Sequence, residues 1–351
     1  MSKRILMTGN EAIAEGAIQA GCSFYAGYPI TPQNELIAYM AAQLPERGGV
    51  FIQAESELAA INMVFGASAA GARAMTSSSS PGISLKQEGI SYIAGAELPA
   101  VIVNIMRGGP GLGNISPSQA DYFQATRGGG HGDYRCIVLA PFSVQEAFSL
   151  TKLAFDLADK YRTPAMILGD GMLGQMMEPI EAQSAKQKTQ SYKKPWALTG
   201  CKGRKPNIIR SLYLGEGVLE RLNLALQDKY KKIREKESRW AGESLDDAKI
   251  ILVAYGSMAR VARSVVNRLR QKGKKVGLIR PVTLWPFPAD AFTGRLKRGA
   301  KYLVIEMSYG QMVEDVKLSV NGKAEVEFLG RAGGGMPSEE EIINKIKHLA
   351  R

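Results

Sequence analysis

The sequence predicts an α/β protein with a parallel sheet in its first half and a second α/β unit after it. Short β-branched, apolar runs alternate with longer helical patterns over residues 24–168, and the same alternation returns after residue 247. The runs are continuously apolar and do not alternate with polar residues. Continuous apolar strands separated by helices are typical of a parallel sheet that is covered on both faces.

Six apolar runs are the predicted strands of the first unit: 24–28, 49–53, 72–76, 100–106, 136–140 and 165–168. Helical patterns lie between them, at 32–43, 56–70, 82–96 and 143–161. The helix 56–70 consists almost entirely of small and apolar residues, so we expect it to be buried on nearly all sides.

Composition divides the chain into three predicted regions: a first unit over 1–185, a basic linker over 186–246 and a second α/β unit over 247–351. The linker is rich in lysine and has one long amphipathic helix near 217–239. In the second unit we predict strands at 249–255, 275–278, 301–306 and 325–330, helices at 258–272, 288–296, 311–320 and 338–350, and a turn at 281–287.

Charge and cysteine content limit the function classes. The 351 residues carry a formal net charge of +12, and many of the basic residues lie in 193–239. Few aromatic residues accompany them, so we expect a solvated face or a docking surface for an acidic partner, not a nucleic-acid site. No apolar stretch is long enough to cross a membrane, and we expect no signal peptide. Cys22, Cys136 and Cys201 form no metal-binding or disulfide pattern, which favours a reducing cytoplasm.

A first candidate site lies in the run Ala26-Gly-Tyr-Pro-Ile-Thr-Pro32, where a strand pattern gives way to a helix pattern. Thr31 is a suitable N-cap and Pro32 a suitable first helical residue. A helix N-terminus with a hydroxyl beside it can hold a small carboxylate. An ordinary capped helix is the alternative.

Glu57 and Arg107 are the next candidates. Glu57 lies in the first turn of the helix 56–70, with Ser56 as its cap, and its apolar neighbours predict a desolvated carboxyl group suited to proton exchange. Its structural alternative is to complement the helix dipole. Arg107 ends the strand 100–106 and opens a glycine-rich loop, a place where an arginine can hold a carboxylate by two parallel hydrogen bonds. The alternative there is a solvated arginine on a flexible loop.

Two further segments have weaker functional patterns. The loop Thr126-Arg-Gly-Gly-Gly-His-Gly-Asp-Tyr134 is interpreted as a structural crossover, with a site loop around His131 as the alternative. The serine run Thr76-Ser-Ser-Ser-Ser-Pro-Gly82 lacks the G-x-S-x-G pattern of a nucleophile, so we interpret it as a polar junction between strand and helix.

Together, five motifs resemble the alpha subunit of the 2-oxoacid:ferredoxin oxidoreductases, in particular the branch that acts on 2-oxoisovalerate and other branched-chain 2-oxoacids. The motifs are Gly27-Tyr-Pro-Ile-Thr-Pro32, Glu55-Ser-Glu-Leu-Ala59, Met106-Arg-Gly-Gly-Pro-Gly111, Pro117-Ser-Gln-Ala-Asp-Tyr122 and Gly128-Gly-Gly-His-Gly-Asp-Tyr134. The resemblance covers essentially the whole chain. It implies that 1–185 is the pyrimidine-binding domain of a thiamine diphosphate enzyme and that 247–351 is similar to the transketolase C-terminal domain.

The resemblance also implies a reaction: oxidative decarboxylation of a 2-oxoacid with coenzyme A, giving acyl-CoA, CO2 and reduced ferredoxin. It implies that Glu57 bonds ring nitrogen N1′ of thiamine diphosphate, with Pro29 and Ile30 as further cofactor-binding residues. Thr31 and Arg107 match residues that bind the substrate carboxylate and carbonyl region.

Partner subunits are implied as well. This chain has no cysteine motif for a cluster, and after Gly169-Asp-Gly171 it lacks the asparagine of the thiamine diphosphate–magnesium motif. We therefore expect no metal site here, and expect Mg²⁺ and [4Fe-4S] clusters on partner chains. Those partners are a beta subunit, gamma and ferredoxin-like delta subunits, and ferredoxin.

Three alternatives stay open. The chain departs from the 2-oxoglutarate type at Met106 and at Gly111-Leu112, and this more apolar loop suits an aliphatic substrate; an alpha subunit of 2-oxoglutarate:ferredoxin oxidoreductase is nevertheless an alternative. A second is the beta subunit of a lipoamide-linked 2-oxoacid dehydrogenase. A third, from a different class, is a noncatalytic basic scaffold that binds acidic proteins or nucleic acid.

Overall fold

The computed structural model of the chain describes residues 4–181, 192–293 and 300–350. Its strands, in chain order, are β1 (Arg4–Thr8), β2 (Phe24–Gly27), β3 (Val50–Gln53), β4 (Ala74–Ser78), β5 (Ala100–Met106), β6 (Ile137–Leu139), β7 (Pro164–Asp170), β8 (Met177–Glu181), β9 (Trp240–Glu243), β10 (Ile250–Val253), β11 (Val276–Pro281), β12 (Thr283–Trp285), β13 (Lys301–Glu306) and β14 (Val326–Gly330).

The α-helices are α1 (Gly9–Gln19), α2 (Asn34–Gln43), α3 (Glu57–Ala69), α4 (Ser80–Gly95), α5 (Tyr122–Arg127), α6 (Val144–Tyr161), α7 (Gly171–Gln175), α8 (Val218–Glu237), α9 (Gly256–Gln271), α10 (Asp290–Thr293), α11 (Met312–Val320) and α12 (Glu339–Leu349). A short 3₁₀ helix covers Pro45–Arg47. None of the helices in the described ranges is long and apolar enough to cross a membrane.

The first sheet has seven strands in the order β12-β6-β7-β5-β4-β2-β3. All its neighbouring pairs are parallel except β12 with β6. Every residue of β5 and β7 is buried, as expected for central strands that helices cover on both faces. The α/β prediction with a parallel sheet is therefore confirmed.

The second sheet has five strands in the order β14-β13-β10-β11-β9, all parallel except β9. Helices α9 and α12 bury their apolar sides against it, through residues such as Val265, Leu269 and Ile346. A small antiparallel sheet pairs β1 with β8.

Two short strands connect regions that the sequence prediction separated. Strand β12 falls inside the predicted turn 281–287 and pairs with β6 of the first sheet, so the turn prediction is wrong there. Strand β9, from the predicted linker, pairs with β11 of the second sheet. The predicted helix 288–296 is observed as α10, and its part over 294–296 lies outside the described residues.

The predicted amphipathic helix near 217–239 is confirmed as α8. It buries Leu226, Tyr230 and Ile233, and the Tyr230 ring packs edge-on against Trp285 with ring centres 5.5 Å apart. Lys229 forms an ion pair with Glu97 at 2.6 Å. This part of the linker is thus packed onto the body of the protein, while the proposed domain boundaries stay predictions.

Helix α3 corrects one expectation about burial. Ala60, Ile61 and Val64 are buried, but Leu58 is 47% exposed, and Asn62 on the same side is exposed too. The apolar composition of the helix led to a prediction of burial all round. In this single chain, neighbouring elements cover only one of its faces.

Candidate active site

The predicted site residues meet at one edge of the first sheet. Strands β5, β4 and β2 are neighbours and run parallel, so their carboxyl ends lie side by side, where ligands gather in such sheets. Thr31 follows β2, Arg107 follows β5, and the serines at the end of β4 lie between them. Glu57 approaches the same edge from the start of α3.

Thr31 does not cap a helix, which corrects the prediction for Thr31 and Pro32. Helix α2 begins at Asn34, with Gln33 at the N-cap position. The cause is a turn before the helix, in which the Gln33 backbone N–H donates to the Ile30 carbonyl at 3.1 Å. The Thr31 hydroxyl accepts instead from the Asn34 side-chain amide, at 3.3 Å.

The position of this turn is fixed by buried hydrogen bonds. The Ser77 hydroxyl donates to the Gln33 side-chain carbonyl at 2.6 Å, and the Tyr25 hydroxyl lies 2.6 Å from Ser77 Oγ. Gln33 is fully buried. The turn places Pro29 at the surface and leaves Ile30 and Thr31 half-buried at the edge of the sheet.

Glu57 is held at the N-terminus of α3. Ser56 caps this helix, as predicted, by accepting the Ala59 backbone N–H at 3.1 Å. The Glu57 side chain is only 6% exposed, and its Oε1 accepts from the Ser78 hydroxyl over a long 3.4 Å. Gly82 in the first turn of α4 leaves space for it, because a Cβ at residue 82 would overlap both Ser78 Oγ and Glu57 Oε1.

Lys86 lies close to Glu57, and the sequence analysis missed it. Its side chain is fully buried, and Nζ has no hydrogen-bond partner among the described residues. Burial lowers the pKa of Lys86 to about 8, and the nearby charge of Glu57 opposes part of that change. The available sequence signal was the spacing of Gly82 and Lys86, which are four residues apart and therefore on one face of a helix.

Arg107 is 7% exposed, which contradicts the alternative of a solvated arginine. Its Nη1 donates to the Thr31 carbonyl and its Nη2 to the Leu112 carbonyl, both at 3.0 Å. Its Nε is buried without a hydrogen-bond partner in the part of the chain that the structure describes. Arg107 is therefore in direct contact with the backbone of Thr31.

A second group of buried polar residues supports Arg107 from behind. The Arg107 backbone N–H donates to Ser80 Oγ at 3.0 Å, and the Ser80 hydroxyl donates to Asp121 at 2.6 Å. Asn104 also donates to Asp121, at 2.8 Å. Burial raises the pKa of Asp121, and these two hydrogen bonds act against that change. The serine run therefore acts as the polar junction that the sequence predicted, and it links the candidate residues.

The remaining sequence candidates have structural contacts. The 128–134 loop packs on α4, where the Ser91 hydroxyl donates to the His131 carbonyl at 2.7 Å while the His131 side chain points to the surface. Asp170 caps α7 and accepts from the Ser257 hydroxyl at 2.6 Å, so it is engaged in the contact with the second sheet. In the described ranges, no three acidic, histidine or cysteine side chains form a group that could hold a metal ion.

This edge has the properties of a cofactor and substrate site. Buried polar atoms without a hydrogen-bond partner among the described residues occur here in Ser79, Lys86 and Arg107. Such atoms are costly to leave unpaired, so a polar ligand is the natural partner for them. A buried carboxylate beside a glycine fits the aminopyrimidine ring of thiamine diphosphate, and an arginine fits a carboxylate substrate.

Comparisons with known proteins show the family of the chain. The family described as "Pyruvate flavodoxin/ferredoxin oxidoreductase, thiamine diP-bdg" matches residues 15–235, and "Pyruvate:ferredoxin oxidoreductase core domain II" matches residues 248–342. The ketoisovalerate oxidoreductase subunit VorB of Methanothermobacter thermautotrophicus is 50% identical over 98% of this chain and 97% of its own length. The 2-oxoglutarate synthase subunit KorA of the same organism is 39% identical over the full length of both chains.

Solved structures lead to the same fold. The 2-oxoglutarate:ferredoxin oxidoreductase from Magnetococcus marinus, with 2-oxoglutarate, coenzyme A and succinyl-CoA bound, superimposes with a TM-score of 0.86 at 29% identity. The match covers 99% of this chain and 65% of that one. A split-gene transketolase aligns with a TM-score of 0.60 at 12% identity, which shows the fold alone. The chain therefore belongs to the 2-oxoacid:ferredoxin oxidoreductases, multi-subunit oxidoreductases of which it is one subunit and whose thiamine diphosphate-binding domain it carries.

Proposed function

We propose that this chain is the pyrimidine-binding alpha subunit of a 2-oxoacid:ferredoxin oxidoreductase that acts on 2-oxoisovalerate and related branched-chain 2-oxoacids. The observation that carries the proposal is the buried Glu57 carboxylate, held at the sheet edge where Thr31 and Arg107 also lie. The reaction is the oxidative decarboxylation of the 2-oxoacid with coenzyme A, which yields acyl-CoA, CO2 and reduced ferredoxin.

Glu57 is the proposed catalytic residue. Thiamine diphosphate, when bound at this edge, would supply the nucleophilic carbon for the decarboxylation. Glu57 holds a proton at ring nitrogen N1′, and burial makes its carboxylate a strong hydrogen-bonding partner there. Pro29 and Ile30 line the same edge as cofactor-binding residues, in keeping with their place in the turn after β2.

Thr31 and Arg107 are the proposed substrate-binding residues. The Arg107 guanidinium is fixed by two backbone carbonyls, so little freedom is lost when it binds a carboxylate. Its buried Nε has no hydrogen-bond partner among the described residues. The Thr31 hydroxyl lies next to this contact and is available to the carbonyl region of a 2-oxoacid.

The branched-chain preference rests on two supports. Relatives named ketoisovalerate oxidoreductase are more similar, at 50% identity, than those named 2-oxoglutarate synthase, at 39%. Met106 precedes Arg107 in the sequence, and Leu112 accepts a hydrogen bond from Arg107 through its carbonyl. Neither side chain is positively charged, so neither could pair with a second carboxylate on the substrate. An aliphatic side chain fits this environment better than a carboxylate does.

Partner subunits complete the proposed enzyme. Tyr28, Leu58, Leu112 and Ile115 are exposed apolar side chains in or beside the candidate segments, and such surfaces are typical of protein interfaces. We propose that a beta subunit covers this edge and carries the diphosphate-binding residues, Mg²⁺ and [4Fe-4S] clusters. Gamma and ferredoxin-like delta subunits, ferredoxin as acceptor and a cytoplasmic location complete the proposal.

The test is a matched pair of variants in the co-purified complex. Glu57→Gln should lower turnover by orders of magnitude, because the carboxylate that activates the cofactor is lost. Glu55→Gln is the control, since Glu55 is an exposed glutamate two residues away. Retained turnover in Glu57→Gln would contradict the catalytic assignment.

Substrate choice is tested separately, with 2-oxoisovalerate, pyruvate and 2-oxoglutarate and a low-potential dye as acceptor. The highest kcat/KM is expected for 2-oxoisovalerate. A higher value for 2-oxoglutarate would overturn the substrate proposal and leave the family assignment unchanged.

A further inference from the structure

Lys86 occupies a defined place between two helices. Gly82, Lys86 and Gly89 are spaced at i, i+4 and i+7 on α4, so they share one face of that helix. A Cβ at residue 82 would overlap the Glu57 carboxyl, and a Cβ at residue 89 would lie 2.6 Å from Ile61 Cγ2. Both glycines therefore face α3, and Lys86 lies between these two close contacts.

Among the described residues, no hydrogen bond compensates for the burial of the Lys86 ammonium group. A fully buried ammonium group without a hydrogen bond destabilises a fold, and apolar residues of similar volume usually serve as well or better. Within the described ranges, Lys86 Nζ has no hydrogen-bond partner. A pKa of about 8 leaves the group mostly protonated at neutral pH, so the charge is retained.

Glu57 is the charged group that interacts with the Lys86 ammonium. Its carboxylate is almost completely buried and has a single long hydrogen bond, from Ser78, among those the described residues make to it. A carboxylate can accept about four hydrogen bonds. Lys86 makes no hydrogen bond to Glu57 among the described residues, so its ammonium group acts on the carboxylate through its charge.

We propose that Lys86 is a positioning residue for Glu57: its ammonium group, buried between α3 and α4, attracts the Glu57 carboxylate and holds it in the orientation in which it faces the thiamine aminopyrimidine. This inference rests on the proposed function of Glu57. It adds a residue that acts through Glu57 and does not itself need to touch the substrate.

The experiment is a double-mutant cycle on thiamine diphosphate binding in the assembled complex, measured by calorimetry in the absence of substrate. Lys86→Met should weaken binding about tenfold, which corresponds to about 1.4 kcal/mol. In a Glu57→Gln background the same change should have no further effect, because the group through which Lys86 acts has lost its charge. Lys232→Met, at an exposed lysine of α8, is the matched control and should leave binding unchanged.

A second measurement separates positioning from a purely structural role. Unfolding of the cofactor-free complex by urea should show Lys86→Met to be as stable as the parent or more stable, since a buried charge has been removed. If the Lys86→Met complex fails to assemble, the same double-mutant cycle is measured with Lys86→Gln, whose side chain is polar and uncharged.

The outcomes distinguish the two proposals. If Glu57→Gln weakens cofactor binding but Lys86→Met and Lys86→Gln do not, the role of Lys86 is refuted and the proposed function stands. The role of Lys86 would also be refuted if Lys86→Met weakened cofactor binding equally in the parent and in the Glu57→Gln background. If Glu57→Gln leaves binding unchanged, the proposed function itself fails.

Discussion

The substitution Gly82→Ala would test the geometry around Glu57 without removing any polar group. A Cβ at residue 82 would overlap Ser78 Oγ and Glu57 Oε1, and would lie 3.0 Å from Glu57 Cδ. Carbon atoms in contact usually lie about 3.5–4.0 Å apart, so the carboxyl group must move by roughly 0.5–1 Å. A shift of about 1 Å at a reacting group can cost about 100-fold in rate.

We therefore expect Gly82→Ala to lower kcat/KM by about 10- to 100-fold and to weaken thiamine diphosphate binding. Overpacking of this kind costs about 1–3 kcal/mol in free energy of unfolding. The better helix propensity of alanine returns at most about 1 kcal/mol. The net loss of stability should be about 3 kcal/mol or less, below the roughly 5–15 kcal/mol by which folded domains are usually stable.

Gly66→Ala is the matched control for this prediction. Gly66 lies inside α3, two turns beyond Glu57, and a Cβ there would meet nothing within 4 Å. It should gain up to about 1 kcal/mol in stability with unchanged kinetics. Cofactor calorimetry, steady-state assays and urea unfolding of both variants are the measurements. A Gly82→Ala complex that binds and turns over like Gly66→Ala would refute the placement of Glu57.

Two further predictions concern Arg107 and Lys86, which are buried cations of the site. Arg107→Lys should raise KM for the 2-oxoacid about 10- to 100-fold, which corresponds to the loss of one or two charged hydrogen bonds. The reason is that one ammonium group cannot reproduce the guanidinium contacts to the Thr31 and Leu112 carbonyls. An unchanged KM would contradict the substrate role of Arg107. The pKa of Lys86 is about 8 in the folded chain, against an ordinary value of 10.5. Between these two pH values the unfolded chain binds more protons than the folded chain, so the free energy of unfolding rises with pH. The stability of the parent relative to Lys86→Met should therefore rise by about 3 kcal/mol across this pH range. Urea unfolding at about pH 7 and pH 10 measures this difference, and a constant difference would show that Lys86 is not desolvated.

The sequence predicted the main strand and helix order correctly from β2 to β7 and from β10 to β14, whereas α1, β1 and β8 were not predicted. The predicted bounds of β5 and β13 agree with the observed Ala100–Met106 and Lys301–Glu306, because a long apolar run bounded by polar residues is a strong local signal. The convergence of Thr31, Glu57 and Arg107 was also predictable, since parallel strands bring their carboxyl ends to one edge.

The failures have non-local causes. Strands β9 and β12 are short, and only their partners in the other region make them strands. The start of α2 depends on a turn held by Ser77, which is 44 residues away from Gln33. Lys86 was missed because a lysine in a helix is normally exposed, and its burial follows from two glycines that bring α3 and α4 close together.

The most direct test of the central claim is a structure of the assembled complex with thiamine diphosphate bound. Ring nitrogen N1′ should lie within hydrogen-bond distance of the Glu57 carboxylate, at about 2.6–3.2 Å. An aminopyrimidine bound by another carboxylate, with Glu57 out of contact, would contradict it.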